Sequence, residues 1–296
     1  MQVKKLLLTI VLIGCSIMPA FAQAPLPGAP LPGAAQVNPV YPPVELDRIT
    51  SPIALYPDPL LAQVLAAATY SDQIPDAARW ADQHHYLTGP ALTDAMAADR
   101  VPWDPSVQAL LPFPSVLDMM ASAMPWTQEL GSAFLTQSQD VMDAVQRNRQ
   151  KAVSYGYLQS NPQVRVVTGP YIEIVPVNPD YIVVPYYDPL VVYARPRPGF
   201  VVAGAVRFGF GVTLGAAFVP WGWHSTRFVW SNHVVVVNNA PWHRTYENRF
   251  TYAHPYTVQR YAPPPRVEEH RGIERSREER ESDRGGRERR EEHRGR

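Results

Sequence analysis

Leu6 to Met18 is an almost unbroken apolar run, with Lys4 and Lys5 before it and Pro19 and Ala20-Phe21-Ala22 after it. Its length, about 13 residues, is too short for a spanning helix, which needs about 20. A basic start, an apolar middle and small residues at the cleavage positions read as a secretory leader over 1–22. Seven prolines follow between Ala24 and Pro43, including the tandem repeat Ala24-Pro-Leu-Pro-Gly28 and Ala29-Pro-Leu-Pro-Gly33. That composition predicts a polyproline II linker over 23–43, a semi-rigid spacer.

From 44 to about 160 the apolar residues take helical spacing. Asp58-Pro59 and Asp104-Pro105 each set a capping carboxylate before a proline suited to a first helical turn. Ser115 with Asp118 resembles a capping box. Leu60, Leu61, Val64 and Leu65 follow the first start signal. Phe134, Val141, Val145 and Ala152 line one face of a longer predicted helix, with Arg147, Arg149 and Lys151 elsewhere on its surface. Prolines at 75, 90, 102, 112 and 125 cut the region, so about six short helices are expected in an irregular helical domain. Trp80, Trp103 and Trp126 read as core or half-buried anchors within it.

The period then changes. Val164 to Val167, Ile172 to Val175, Tyr181 to Val184 and Leu190 to Tyr193 are short β-branched and aromatic runs separated by prolines. They predict a small, irregular β-rich module over 161–199, because proline confines strands to edges. Phe200 to Val219 carries a single charge, Arg207, and the glycines Gly204, Gly209, Gly211 and Gly215. Two readings compete within this glycine-rich apolar segment, 200–223. Its length and small residues suit a membrane helix packing closely on a partner. Partial alternation of Val206, Phe208, Phe210 and Val212 suits strands. Transfer energies leave the choice open: the Val, Phe and Leu residues contribute roughly −3 to −6 kcal/mol and a central arginine costs about 2.5 to 3.5 kcal/mol. Trp221, Trp223 and Trp230 read either as an interfacial belt or as packing against glycine-rich β-structure. Val234 to Val237, between Asn232 and Asn238-Asn239, is a predicted strand inside a Trp-, His- and Asn-rich region, 224–262. Arg266 to Arg296 has 11 arginines against 10 acids and almost nothing apolar, so 263–296 is expected to be a disordered, solvated tail. The fold class is α+β.

Composition adds three constraints. Cys15 is the only cysteine, and cleavage after Ala22 removes it, which leaves no disulfide or thiol chemistry. Leu12-Ile13-Gly14-Cys15 also resembles a lipobox, whose use would make Cys15 a lipidated N-terminus. The chain is formally neutral, and loss of Lys4 and Lys5 takes it to −2, a poor balance for nucleic-acid binding.

No catalytic, cofactor-binding or metal-binding residue stands out. His224, His233, His243 and His254 recur without an H-x-H or H-x-x-x-H pair, and His84-His85 would point to different faces of a helix. G-x-S-x-G, S-x-x-K and phosphate-cradle motifs are missing. Carboxylates paired in space for glycoside cleavage are not legible in a sequence.

The strings Ser51-Pro-Ile-Ala-Leu-Tyr-Pro-Asp-Pro-Leu-Leu-Ala-Gln-Val-Leu65, Trp103-Asp-Pro-Ser-Val-Gln-Ala-Leu110, Phe113-Pro-Ser-Val-Leu117 and Asp140-Val-Met-Asp-Ala-Val-Gln146, with the stretch Tyr181 to Tyr193, resemble the bacterial "domain of unknown function 3300". The resemblance covers roughly residues 45 to 230. It implies an exported, uncharacterised protein, often membrane-associated through a long apolar segment, with no agreed catalytic residues. Arg207 departs from a clean spanning segment. The functional expectation is a non-enzymatic binding or scaffolding component in the periplasm or cell envelope of a Gram-negative bacterium, in contact with membrane or cell wall. Homo-oligomerisation stays open, as do two other roles: hydrolysis of an envelope polymer, and membrane insertion through 200–219.

Overall fold

Leu60 to Ala68 is apolar except for Gln63, and the helix it builds is buried on every side, with Gln63 Nε2 donating to Trp221 O at 3.1 Å. This helix, α2 (Asp58–Ala68), forms the axis of a computed structural model that describes residues 40–199, 203–258 and 261. The leader with Cys15, the linker up to residue 39 and the 263–296 tail lie outside the described residues.

The other helices of this half are α1 (Pro43–Thr50), α3 (Ile74–Gln83), α4 (Gly89–Ala98), α5 (Pro105–Gln108), α6 (Pro114–Ser122), α7 (Met124–Thr136) and α8 (Ser138–Ser154). Eight helices therefore occupy a region from which about six were expected. The predicted long helix carrying Phe134 and Val141 is two helices. Gln137 breaks it with a non-helical backbone, φ −138° and ψ 46°, and spends its side-chain amide on Tyr41, accepting from Tyr41 N at 2.7 Å and donating to Tyr41 O at 3.3 Å. Ser115 is not a cap: α6 begins at Pro114, and no side chain bonds its first amides.

The C-terminal half is built from short antiparallel ribbons. β1 (Val164–Val167) pairs with β2 (Glu173–Pro176), setting Arg165 opposite Val175. β3 (Tyr181–Ile182) and β4 (Pro185–Tyr187) pair not with each other but with β6 (Val212–Thr213) and β5 (Val206–Phe208). Then β7 (Arg227–Val229), β8 (Val234–Val237) and β9 (Ala240–Pro241) form a three-stranded sheet in that order. Leu190 to Tyr193 is not a strand. Asp188 accepts a hydrogen bond from Leu190 N at 2.8 Å and starts a single helical turn, α9 (Pro189–Val192). The architecture is mixed α+β.

The described part of the 200–219 stretch folds as β5, β6 and the start of a 3-10 turn at Ala216–Trp221. Among the described residues, no helix is long and apolar enough to cross a membrane. Two of its glycines make room for tyrosine rings of the neighbouring ribbons. A Cβ on Gly211 would lie 2.6 Å from the Tyr181 ring, and one on Gly209 would lie 2.9 Å from the Tyr186 ring. Close backbone approach is what glycine in a strand region permits.

One core joins the two halves, with members from Leu46 to Trp242. α2 lies against α5 and α7 on its helical side and against β2, β7 and β8 on the other. Trp221, Trp223 and Trp230 are buried in this core, so they pack and do not form an exposed belt. Two of their indole N–H groups find acceptors on or beside α5: Trp221 donates to Gln108 Oε1 at 3.3 Å and Trp223 to Ala109 O at 3.2 Å. A buried indole needs such a partner.

Candidate functional site

Two parts of the molecule have the chemistry of a site, and they differ in what they leave available. The first is a buried ion pair. Arg149, placed by the sequence pattern on the surface of a helix, is wholly buried. Its Nε donates to Ala54 O at 2.8 Å, Nη1 to Ile172 O at 2.8 Å and Nη2 to Tyr56 O at 3.0 Å. Nη1 also lies 2.7 Å from Asp58 Oδ1, and the guanidinium stands 5.1 Å from the Trp230 ring centroid. Asp58 does not cap α2. Its carboxylate accepts instead from Trp230 Nε1 at 3.1 Å and Ile174 N at 3.3 Å. Every group is spent on a neighbour, so this is a clamp between α8, α2, β2 and the β7–β8 connection. A buried charge survives only where partners replace its water.

The second is an open cleft of about 670 Å³. One wall is the turn between α3 and α4, from His84 to Pro90; another is the α5–α6 connection at Leu111, Pro112 and Pro114; the third is Phe210 to Ala217. Local chemistry sets each wall. His84 ends α3, stacks on Trp80 with ring centroids 4.0 Å apart and holds Nδ1 2.9 Å from Trp80 O. Trp80 in turn donates to Asp99 Oδ2 at 2.7 Å. On the opposite wall Leu214 N donates to Asp180 O at 2.9 Å, and Gly215, at φ 57°, turns the chain into Ala216. That φ favours glycine. Phe210 projects fully into solvent at the rim.

The lining contains no carboxylate, lysine or arginine; its polar side chains are His84, His85, Thr88 and Thr213. It can therefore form hydrogen bonds and apolar contacts with an uncharged ligand. A shallower groove of about 580 Å³ between α3 and α6 carries Arg79, Asp82, Ser115 and Asp118.

Three more of the described histidines have ring partners. His224 Nε2 is 2.6 Å from Asp180 Oδ1, His233 Nε2 is 2.8 Å from Asp143 Oδ1, and His254 Nε2 is 3.3 Å from Ala240 O. His243 is tied through its backbone, whose N donates to Tyr252 Oη at 3.1 Å. Among the described residues, no group of three or more His, Cys, Asp or Glu could hold a metal ion. His84 and His85 diverge, as their adjacency requires, yet both border the cleft. Sequence reasoning missed that the glycine-rich segment supplies a cleft wall, because the pairing of β6 with β3 is long-range.

Comparison with known proteins gives kinship without an activity. The family model described as "Protein of unknown function (DUF3300)" matches residues 43–261. An "Uncharacterized protein YacH" of Escherichia coli (strain K12) is 34% identical over 244 residues, covering 67% of this chain. The matched stretch covers 38% of that relative's length. No solved structure matches. With most of its length matched by the family model, the chain belongs to the DUF3300 family of proteins of unknown function.

Proposed function

We propose that this is an exported protein of the bacterial cell envelope that binds a neutral polymer in the cleft between the α3–α4 turn and Phe210–Ala217, and does no chemistry on it. The leader pattern at 1–22 supports export. One observation carries the binding reading: the cleft of about 670 Å³ between the α3–α4 turn and Phe210–Ala217 has no carboxylate, lysine or arginine in its lining. A hydrolase acting on glycosidic bonds needs two carboxylates flanking the bond. A lining of apolar side chains, two imidazoles and two threonine hydroxyls instead fits sugar rings, which offer hydroxyls at their edges and an apolar face to Phe210. The ligand class is then the uncharged glycan strand of the cell wall.

Sedimentation of the purified mature chain with isolated peptidoglycan sacculi tests this. The expected result is co-sedimentation that falls several-fold in Phe210→Ala, with no soluble fragments released. Fragment release, or binding indifferent to Phe210→Ala, would overturn it. Phe210 is fully exposed, so its truncation leaves the core untouched.

A further inference from the structure

The strand segment that walls the first cleft also walls a second. Tyr181 to Tyr187 and Val206 to Thr213 run antiparallel as one ribbon, and its register slips once. Tyr181 and Ile182 face Thr213 and Val212, whereas Pro185, Tyr186 and Tyr187 face Phe208, Arg207 and Val206. Val183 and Val184 therefore stand opposite three residues, Gly209, Phe210 and Gly211. One extra residue on one strand is a β-bulge, which bends the strand and re-aims its side chains. Strand side chains alternate, so a single insertion exchanges the two faces. The packing follows the exchange. Val206 and Phe208 pack with Leu158 and Val183 in a small cluster, whereas Val212 packs in the main core.

A cleft opens on each side of the bulge. Phe210 to Ala217 wall the first, and Val206 and Phe208 wall a second of about 660 Å³, completed by the loop from Gly156 to Gln163. This second lining also carries no charged side chain, and its polar groups are the carboxamides of Gln159, Asn161 and Gln163 with the hydroxyls of Tyr157 and Ser160. The loop is held in place by its own bonds. Asn161 Oδ1 accepts from Gln163 N at 2.8 Å and from Val164 N at 2.9 Å. Gln163 Nε2 donates to Gly209 O at 3.4 Å, at the bulge itself. Gln159 stands exposed at the rim. Carboxamides offer donors and acceptors together without charge, which suits a ligand rich in hydroxyl and amide groups.

We infer that the second cleft is a second glycan site, so that one chain holds two uncharged glycan strands, one on each side of the ribbon. The inference rests on reading the first cleft as a site for a neutral glycan. A single strand would have to bend round the ribbon, past the solvent-exposed Phe210, to enter both. Two sites on one rigid ribbon make the chain a bridge between strands. Attachment through one cleft also raises the effective concentration of a cell-wall strand at the other.

Hydrogen exchange of the full mature chain, with and without a soluble tetrasaccharide of β-1,4-linked N-acetylglucosamine, tests this, with stoichiometry from equilibrium dialysis. The expected result is two tetrasaccharides per chain, with protection at 84–90 and 210–217 and, separately, at 156–163. Phe210→Ala should remove the first footprint and leave the second, with one tetrasaccharide bound. Gln159→Ala should weaken the second site about fivefold, the loss of one hydrogen bond, and leave the first unchanged. Both side chains are exposed, so neither variant disturbs the core. One tetrasaccharide per wild-type chain, or loss of the 156–163 footprint in Phe210→Ala, would overturn the inference. Protection confined to 84–90 and 210–217 would overturn it and leave the reading of the first cleft standing, whereas protection at neither cleft would overturn both.

Discussion

Nη1 of Arg149 lies 2.7 Å from Oδ1 of Asp58, inside the molecule, where α8 passes the first turn of α2. The same guanidinium satisfies the carbonyls of Ala54, Tyr56 and Ile172. Removing one partner of a buried pair leaves the other uncompensated, at a cost of about 3–5 kcal/mol. Asp58→Asn and Arg149→Met are both expected to lose stability in that range by urea unfolding. Arg149→Lys is expected to fare little better, because an ammonium cannot span three carbonyls and a carboxylate. Wild-type stability in Arg149→Met would refute the clamp.

Gly131 reports on how closely α7 approaches α2. A Cβ there would sit 2.1 Å from the backbone oxygen of Ala68. Glycine to alanine in a helix ordinarily stabilises by about 1 kcal/mol. Here the clash falls on backbone, so the sign reverses, with an expected net loss of about 1–3 kcal/mol. A thermal melt of Gly131→Ala that rises instead would show that the two helices stand further apart.

The pair Tyr181 and Gly211 separates the two readings of the glycine-rich segment. Gly211 N donates to Tyr181 Oη at 2.7 Å, and a Cβ on Gly211 would strike that ring. Gly211→Ala should destabilise the folded chain, and in the Tyr181→Ala background it should cost less, the clash with Val183 Cγ1 at 2.8 Å remaining. A coupling of about 0.5–3 kcal/mol is expected from the double-mutant cycle. If the glycines served helix packing in a bilayer, the two substitutions would simply add.

What the sequence made legible followed from local signals. Leu60, Leu61, Val64 and Leu65, read at helical spacing, lie within α2, and Val164–Val167 and Val234–Val237 are β1 and β8 residue for residue. Asp104, read as a cap, accepts from Ser106 N at 3.0 Å. The same Asp-Pro pattern stands at Asp188-Pro189, and in the structure its cap prevails over the β-branched run after it, which reads as a strand in sequence. At Asp58 the reverse holds: the signal is present, but a buried guanidinium far along the chain claims the carboxylate. Arg149 was illegible because periodicity assigns a charged residue to solvent unless its partner is known. The cleft was illegible for a related reason, since its walls meet only through long-range pairing.

Acidification should loosen the strap from Ala240 to Val258 first. Burial holds the His254 imidazole below its ordinary pKa, and neighbouring His243 adds to the effect, while the bond to the Ala240 carbonyl opposes it. A depressed folded-state pKa means that the opened strap takes up the proton more readily. Stability of this segment is therefore full above about pH 6.5 and falls as pH drops below that value towards the folded-state pKa. Trp242 Nε1, Arg244 Nε and Tyr256 Oη are also buried there without a hydrogen-bond partner, which lowers the cost of opening. Hydrogen exchange at pH 7.5 and 5.5, corrected for intrinsic rates, should show protection of residues 242–256 falling at the lower pH. His254→Phe should abolish the difference, and an unchanged pH response in that variant would contradict the assignment.

The reading of this chain as an envelope protein rests on its export. Fractionation of expressing cells, with mass spectrometry of the N-terminus, measures that step directly. The account predicts a mature chain beginning at Gln23 in the periplasmic extract. Recovery of the intact chain from the cytosol, with Lys4 and Lys5 still attached, would contradict it.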